Sequence, residues 1–122
     1  MKEASSCEVL IIDDEKDLCQ LLQVICQQKG LNTLIAHNLE EASIKLSKNP
    51  DIIFLDNNLP DGSGLEFIHT IRKHSKNSFV VMMTAQSSDS FEKEVFHSGI
   101  NYFLVKPFDI SSVTNLIDKI AY

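Results

Sequence analysis

The sequence predicts an α/β fold in which a doubly wound parallel sheet of five strands is covered by five helices. Three observations carry this. Short apolar runs alternate five times with stretches whose apolar residues recur at helical spacing. Four of the runs are apolar throughout rather than at every second position, as strands buried on both faces must be. A regular alternation of strand and helix then favours a parallel sheet flanked by helices on its two faces.

Strand one is expected over about Glu8–Asp13. The helix after it places Leu18, Leu21, Leu22 and Ile25 at the i, i+3, i+4, i+7 spacing of one buried face, and Gly30 should end it through a left-handed turn. Strand two spans about Asn32–Ala36. Helix two begins at Asn38, a good N-cap, with Leu39, Ala42 and Leu46 inward, and Asn49-Pro50 stops it. Strand three is Asp51–Leu55. Helix three follows Gly64 and buries Leu65, Ile68 and Ile71 or the stem of Arg72. Strand four is Phe79–Met83, and helix four runs from near Asp89 to Gly99 with Phe91 and Val95 inward. Strand five is Tyr102–Val105, and a last helix, capped by Asp109, carries Ile110, Val113, Ile117 and Ile120.

A chain of 122 residues with 43% hydrophobic content is read as one domain over 1–122, large enough to build a core without metal or disulfide support. Residues 1–6 are expected to be disordered, and the domain to end with its last helix. A net charge of −6 with scattered Lys and Arg argues against nucleic-acid binding by this segment, which needs clustered positive charge. No apolar stretch is long enough to span a bilayer, and the first residues lack the apolar core of a signal peptide, so a cytoplasmic location is expected. Cys7, Cys19 and Cys26 show no Cys-x-x-Cys spacing. On one helix Cys19 and Cys26 would lie about 10 Å apart along the axis, beyond the roughly 7 Å that a disulfide tolerates. They read as reduced thiols packed in or beside the core. The four histidines, His37, His69, His74 and His97, fall in different segments without ligand spacing, which argues against a zinc site.

Four of the apolar runs deliver a polar group where they stop. Val9-Leu10-Ile11-Ile12 ends in Asp13-Asp14, Ile52-Ile53-Phe54-Leu55 in Asp56, Val80-Val81-Met82-Met83 in Thr84, and Tyr102-Phe103-Leu104-Val105 in Lys106-Pro107. That pattern resembles the receiver domain of two-component response regulators, of the chemotaxis-regulator-like superfamily, over nearly the whole chain. Singly, each element has an ordinary explanation: an N-cap, a loop, a turn residue, a solvated lysine. Their joint order, each at a strand's carboxyl end, is what carries the resemblance.

The resemblance implies a flavodoxin-like sheet of order 2-1-3-4-5, which periodicity does not fix. It identifies Asp13 and Asp14 with the family's acidic pair, Asp56 with the phosphoacceptor, Thr84 with the hydroxyl position and Lys106 with the family's lysine. Asn58 matches the position whose backbone carbonyl completes the metal shell, and Pro60 and Gly64 match the family's spacing after the acceptor. Pro107 is implied to follow a cis bond that aims Lys106 across the top of the sheet. Phe103 matches the switch aromatic, paired in switching with Thr84. Lacking a hydroxyl, it is expected to lie largely inward even without phosphate. Asn58 and Gln86 flank the path of attacking water and are expected to tune dephosphorylation.

In an open parallel sheet, ligands bind beyond the strands' carboxyl ends where the order reverses, here between strands one and three. Carboxylates crowded there call for a cation. Mg²⁺ suits an all-oxygen set without His or Cys, with Asp13, Asp14, Asp56 and the Asn58 carbonyl as the implied ligands. Phosphoryl transfer needs positioning and charge stabilisation: Asp56 as the nucleophile that forms an aspartyl phosphate, with Lys106 and the Thr84 hydroxyl on the phosphoryl oxygens.

The expected function is thus a signalling switch in a phosphorelay. A sensor histidine kinase or phosphotransfer protein supplies the phosphoryl group. An output domain or downstream protein reads the surface of helix four, strand five and helix five, and a homodimer on activation is left open. The chain is expected to catalyse only its own phosphorylation and dephosphorylation. A receiver-like module that never takes phosphate would lack an acidic residue, the acceptor or the lysine, and none is missing. A flavin carrier would need a Ser/Thr/Gly-rich phosphate loop after strand one, where Asp13-Asp14-Glu15 would repel a phosphate.

Overall fold

In the computed structural model, which describes residues 7–86 and 88–121, each of the five apolar runs is a strand and each intervening segment a helix. The elements are β1 (Glu8–Ile12), α1 (Lys16–Gln28), β2 (Asn32–Ala36), α2 (Leu39–Lys45), β3 (Ile52–Asp56), α3 (Gly64–His74), β4 (Phe79–Thr84), α4 (Asp89–Ser98), β5 (Tyr102–Val105) and α5 (Ile110–Ala121). The five strands form one parallel sheet in the order β2-β1-β3-β4-β5. This is the doubly wound order that the resemblance implies. The expectation for residues 1–6 lies outside the described residues.

Successive strand residues face opposite sides of a sheet, and here the two sides build two cores. Val9, Ile11, Phe54, Val81 and Met83 pack with Cys19, Leu22, Ile25 and Cys26 of α1 and Val113, Leu116 and Ile117 of α5. Leu10, Ile12, Ile53, Leu55, Val80 and Met82 pack with Ala42 of α2, Phe67, Ile68 and Ile71 of α3 and Val95 of α4. Residues 52–55 are all buried, which is why β3 reads as an unbroken apolar run.

Helix ends follow local chemistry. Asn38 and Asp109 accept the backbone N–H groups of Glu41 (2.8 Å) and Ser112 (2.9 Å), as their positions predict. Ser63 and Ser88 cap α3 and α4 in the same way. Gly30 and Gly99 take left-handed conformations, φ 79° and 112°, where α1 and α4 stop.

Some inward faces differ from expectation. Leu21 is 39% exposed, and the thiols of Cys19 and Cys26 take the buried stripe of α1 instead, because a cysteine packs as a small hydrophobe. In α3 Phe67 is buried and Leu65 only half-buried. In α5 Leu116 is buried while Ile110, in the first turn, is 56% exposed. Asp13 falls just beyond β1, whereas Asp56 and Thr84 are the last residues of β3 and β4. Among the described residues no helix is long and apolar enough to cross a membrane.

Candidate functional site

Strand register builds the site. Ile12 stands opposite Leu55, so the next residues, Asp13 and Asp56, emerge side by side at the carboxyl edge where the strand order reverses. Carboxylate oxygens of Asp13, Asp14 and Asp56 all lie within 4.8 Å of one another. Asp13 is wholly buried, Asp56 is 5% exposed and Asp14 faces solvent. From the far edge of the sheet, after a cis Lys106-Pro107 bond, Lys106 reaches across. Its Nζ lies 2.8 Å from Asp13 Oδ2, 3.0 Å from Glu15 Oε1 and 3.3 Å from Asp56 Oδ1. The mouth of the site is a cleft of about 300 Å³ lined by Asp14, Glu15, Asp56, Asn58, Ala85 and Lys106.

Burial and the neighbouring Asp13 push the Asp56 carboxyl up to about 6, against the pull of Lys106. For Lys106, burial alone would disfavour the charged form. Its hydrogen bonds to Asp13 and Glu15 and the charges of Asp13 and Asp56 outweigh burial and hold the ammonium well above its ordinary value. One cation thus serves two buried carboxylates, which leaves the site short of positive charge. An all-oxygen donor set of this kind fits a hard divalent cation.

The β3–α3 loop is fixed from several directions. Asn57, buried, donates its N–H to Met83 O (3.0 Å), accepts the Gly64 N–H at its carbonyl (2.8 Å) and accepts the Leu65 N–H at Oδ1 (3.1 Å). A Cβ on Gly64 would meet the Asp56 carbonyl oxygen at 2.5 Å, so close backbone approach demands glycine there. Asn58 and Leu59 pair antiparallel with Ser63 and Gly62. Asp61 accepts the N–H groups of Leu39 (2.8 Å) and Glu40 (3.0 Å), which ties the loop to the start of α2.

Thr84 is buried, and its Oγ1 accepts the N–H of the exposed Gln86 (3.1 Å). Phe103 is half-buried, edge-on to Phe91 with centroids 6.1 Å apart and tilted against Phe96 at 6.5 Å. Asp14, Asp56, Asn58 and Lys106 therefore share the mouth, with Asp13 buried beneath them, while Thr84 and Phe103 lie on the neighbouring strands. Glu15, Asn57 and Asp61 were not singled out from sequence. Asp61 and Asn57 sit among turn residues, and only Glu15, extending the acidic run, carried any signal.

The family model described as "Response regulator receiver domain" matches residues 9–118. The chain belongs to that family. Among curated proteins, the receiver is 34% identical over 111 residues to the response regulator protein PilR of Pseudomonas aeruginosa, covering 90% of this chain and 25% of that protein. It is 32% identical over 106 residues to the KDP operon transcriptional regulatory protein KdpE of Escherichia coli, covering 86% of this chain and 47% of that protein. The chain spans between a quarter and about half of the length of these relatives. Among solved structures, a two-component response regulator from Clostridium difficile superposes with a TM-score of 0.89 at 33% identity, covering 94% of this chain and 95% of that one. The chemotaxis protein CheY4 of Vibrio cholerae superposes with a TM-score of 0.85 at 27% identity, covering 93% and 98%.

Proposed function

We propose that this receiver accepts a phosphoryl group on Asp56 with Mg²⁺ in the acidic cluster and thereby changes the surface it shows to a partner. The observation that carries the reading is the constellation at one sheet edge: three carboxylates within 4.8 Å, with Lys106 bridging Asp13 and Asp56. Asp14 and Asp56 would hold the ion with the Asn58 carbonyl, and Asp13, whose oxygens already accept Glu15 N–H and Lys106, would reach it through water. When bound, Mg²⁺ supplies the positive charge that a phosphoryl group's oxygens need.

The rest falls to the chain itself. Asp56, above its ordinary range yet ionised at neutral pH, is a carboxylate more basic than most and correspondingly a better nucleophile. Its oxygen attacks the phosphorus of a phosphohistidine on a histidine kinase or phosphotransfer protein. The new P–O bond forms as the P–N bond breaks, and the imidazole leaves with the bonding pair. Lys106 turns from its carboxylates toward a phosphoryl oxygen, and the Thr84 hydroxyl donates to another. The departure of that hydroxyl from Gln86 N–H frees the space beside Phe103, and the α4–β5–α5 face carries the change to an output domain or downstream protein. Asn58, at the mouth, and the exposed Gln86, bonded to Thr84, set how readily water reaches the acyl phosphate.

Incubation with Mg²⁺ and acetyl phosphate or phosphoramidate tests this. Intact mass should show one added phosphoryl group, peptide mapping should place it on Asp56, and chelator should abolish it while the fold persists. Labelling that survives Asp56→Asn unchanged removes the assignment; unfolding by chelator would make the metal structural instead.

A further inference from the structure

Asp13 is hydrogen-bonded at every polar atom. Its N–H donates to Ala36 O (3.0 Å), Oδ1 accepts the Glu15 N–H (2.9 Å) and Oδ2 accepts Lys106 (2.8 Å). Its backbone carbonyl receives two side chains that the reaction above does not use: His37 Nδ1 at 2.9 Å and Cys19 Sγ at 3.2 Å. A carbonyl only accepts, so His37 must carry its proton on Nδ1. That proton is committed to Asp13 and the sulfur stands 4.0 Å from Nδ1, so the thiol hydrogen also goes to the carbonyl. His37 is in turn anchored at the start of α2, its N–H donating to Glu41 Oε1 (3.0 Å).

The consequence lies one residue further on. The Asp13 carbonyl and the Asp14 Cα belong to one rigid peptide plane, so fixing that oxygen fixes the direction in which Asp14 leaves the strand. Asp14 is the exposed member of the acidic cluster, without the burial that holds Asp13 and Asp56 in place. We propose that His37 and Cys19 are positioning residues for the metal site: they lock the Asp13–Asp14 peptide plane and so pre-aim the Asp14 carboxylate at the cation. Partners of this outer kind, which orient a ligand without touching the metal, commonly govern affinity by about tenfold or more. The inference rests on the Mg²⁺ reading above.

The test is a Mg²⁺ titration of the chain followed by NMR, with thermal unfolding measured in chelator beside it. His37→Leu, which removes the donor, should weaken Mg²⁺ binding by about tenfold. His37→Asn, whose Nδ2 can take the place of Nδ1, should restore it to within about twofold. Cys19→Ala should give a smaller loss that Cys19→Ser recovers. Wild-type affinity in His37→Leu overturns the proposal, as does a loss that His37→Asn fails to repair, which would mark His37 as packing only. Should the variant not fold, long-range ¹H–¹⁵N spectra of the wild-type imidazole decide: a proton on Nδ1 supports the lock, and a proton on Nε2 alone overturns it. Absence of Mg²⁺ binding by the wild type would sink the Mg²⁺ reading and this inference together, whereas wild-type binding with an indifferent His37→Leu sinks the inference alone.

Discussion

Above β1 and β3, Asp13 and Asp56 are buried side by side, and Asp13 has every polar atom engaged by the backbone or by a side chain from another element. Above β4 and β5 the hold is lighter: Thr84 Oγ1 accepts a bond from an N–H two residues away, and Phe103 is half-buried against two rings of α4, one of which, Phe96, is itself 47% exposed. The first region is over-determined, as a site must be when charge has to be placed to within fractions of an ångström. The second is bound by few local contacts, which is where a rearrangement costs least. Among the described side chains, Lys106 spans the two, anchored on the β5 side and bonded on the β1 side.

Removing that joint should give the largest effect. Lys106→Met takes the cation from two carboxylates of which Asp13 is wholly buried, and stranding a buried charge costs about 3–5 kcal/mol. Urea unfolding in chelator should show a loss of that order. Mg²⁺ should recover part of it in the variant, since a divalent ion can supply the missing charge. A loss below about 1 kcal/mol would mean that the ion pairs are no stronger than surface ones.

Asp56→Asn should act in the opposite direction. The Asp56 carboxyl stands at about 6 in the folded chain against an ordinary 3.8, so folding favours its protonated form. Above pH 6 both states are ionised and the folded state carries the whole penalty, roughly 3 kcal/mol for about two pK units. As pH falls through 6 toward 4 the penalty fades. Metal-free Asp56→Asn should therefore be more stable than wild type by up to about 3 kcal/mol near pH 7.5, with the gap closing near pH 4. An equal gap at both pH values would show that the gain is not electrostatic.

The same contrast explains what was legible in the sequence. Apolar runs that end in Asp13, Asp56, Thr84 and Lys106 can be read directly, because a strand's burial and its stopping point are local properties. The helix-ending Gly30 and Gly99 and the caps Asn38 and Asp109 are local as well. Partnerships across the chain are not. Arg72 offers an apolar stem, yet its guanidinium binds the carbonyls of Ser78 and Gly99 and the Asn101 side chain, knitting α3 to the segments that precede β4 and follow α4. His37 lacks ligand spacing, although the fold brings it 2.9 Å from a carbonyl 24 positions away. On α1, leucines and cysteines competed for the same face, and hydrophobicity alone ranked Leu21 above the thiols that are buried.

On the lighter side of the sheet, Phe103→Ala should cost about 2 kcal/mol, less than the 3–5 of a fully buried ring, because Phe103 is half-buried. Mg²⁺ affinity should stay within about twofold of wild type, since two residues apart with no shared partner couple weakly. A tenfold change in affinity would show that the two regions are one unit in the resting state and would dissolve the contrast.

The smallest expected effect in energy is the most direct probe of that contrast. Beryllofluoride would stand in for the phosphoryl group proposed for Asp56, and comparing NMR spectra with and without it shows which region gives way. If the Thr84 hydroxyl turns toward the acceptor, it releases Gln86 N–H, and the ring of Phe103 gains room to move off Phe91 and Phe96. Shifts should then spread from Thr84 and Phe103 through the residues from Phe91 to Ile117. Around Asp13 they should stay confined to the carboxylates and their immediate donors, because the peptide plane there is already held by His37 and Cys19. The apolar ring favours burial with no hydroxyl to hold it in water, so a modest displacement from its half-buried position is expected rather than a full swing. Spectra unchanged across Phe91 to Ile117 would count against any switch through Phe103, even with Asp56 fully occupied. Shifts as large in α1 and β2 as in α4 and β5 would show instead that the rigid region moves too.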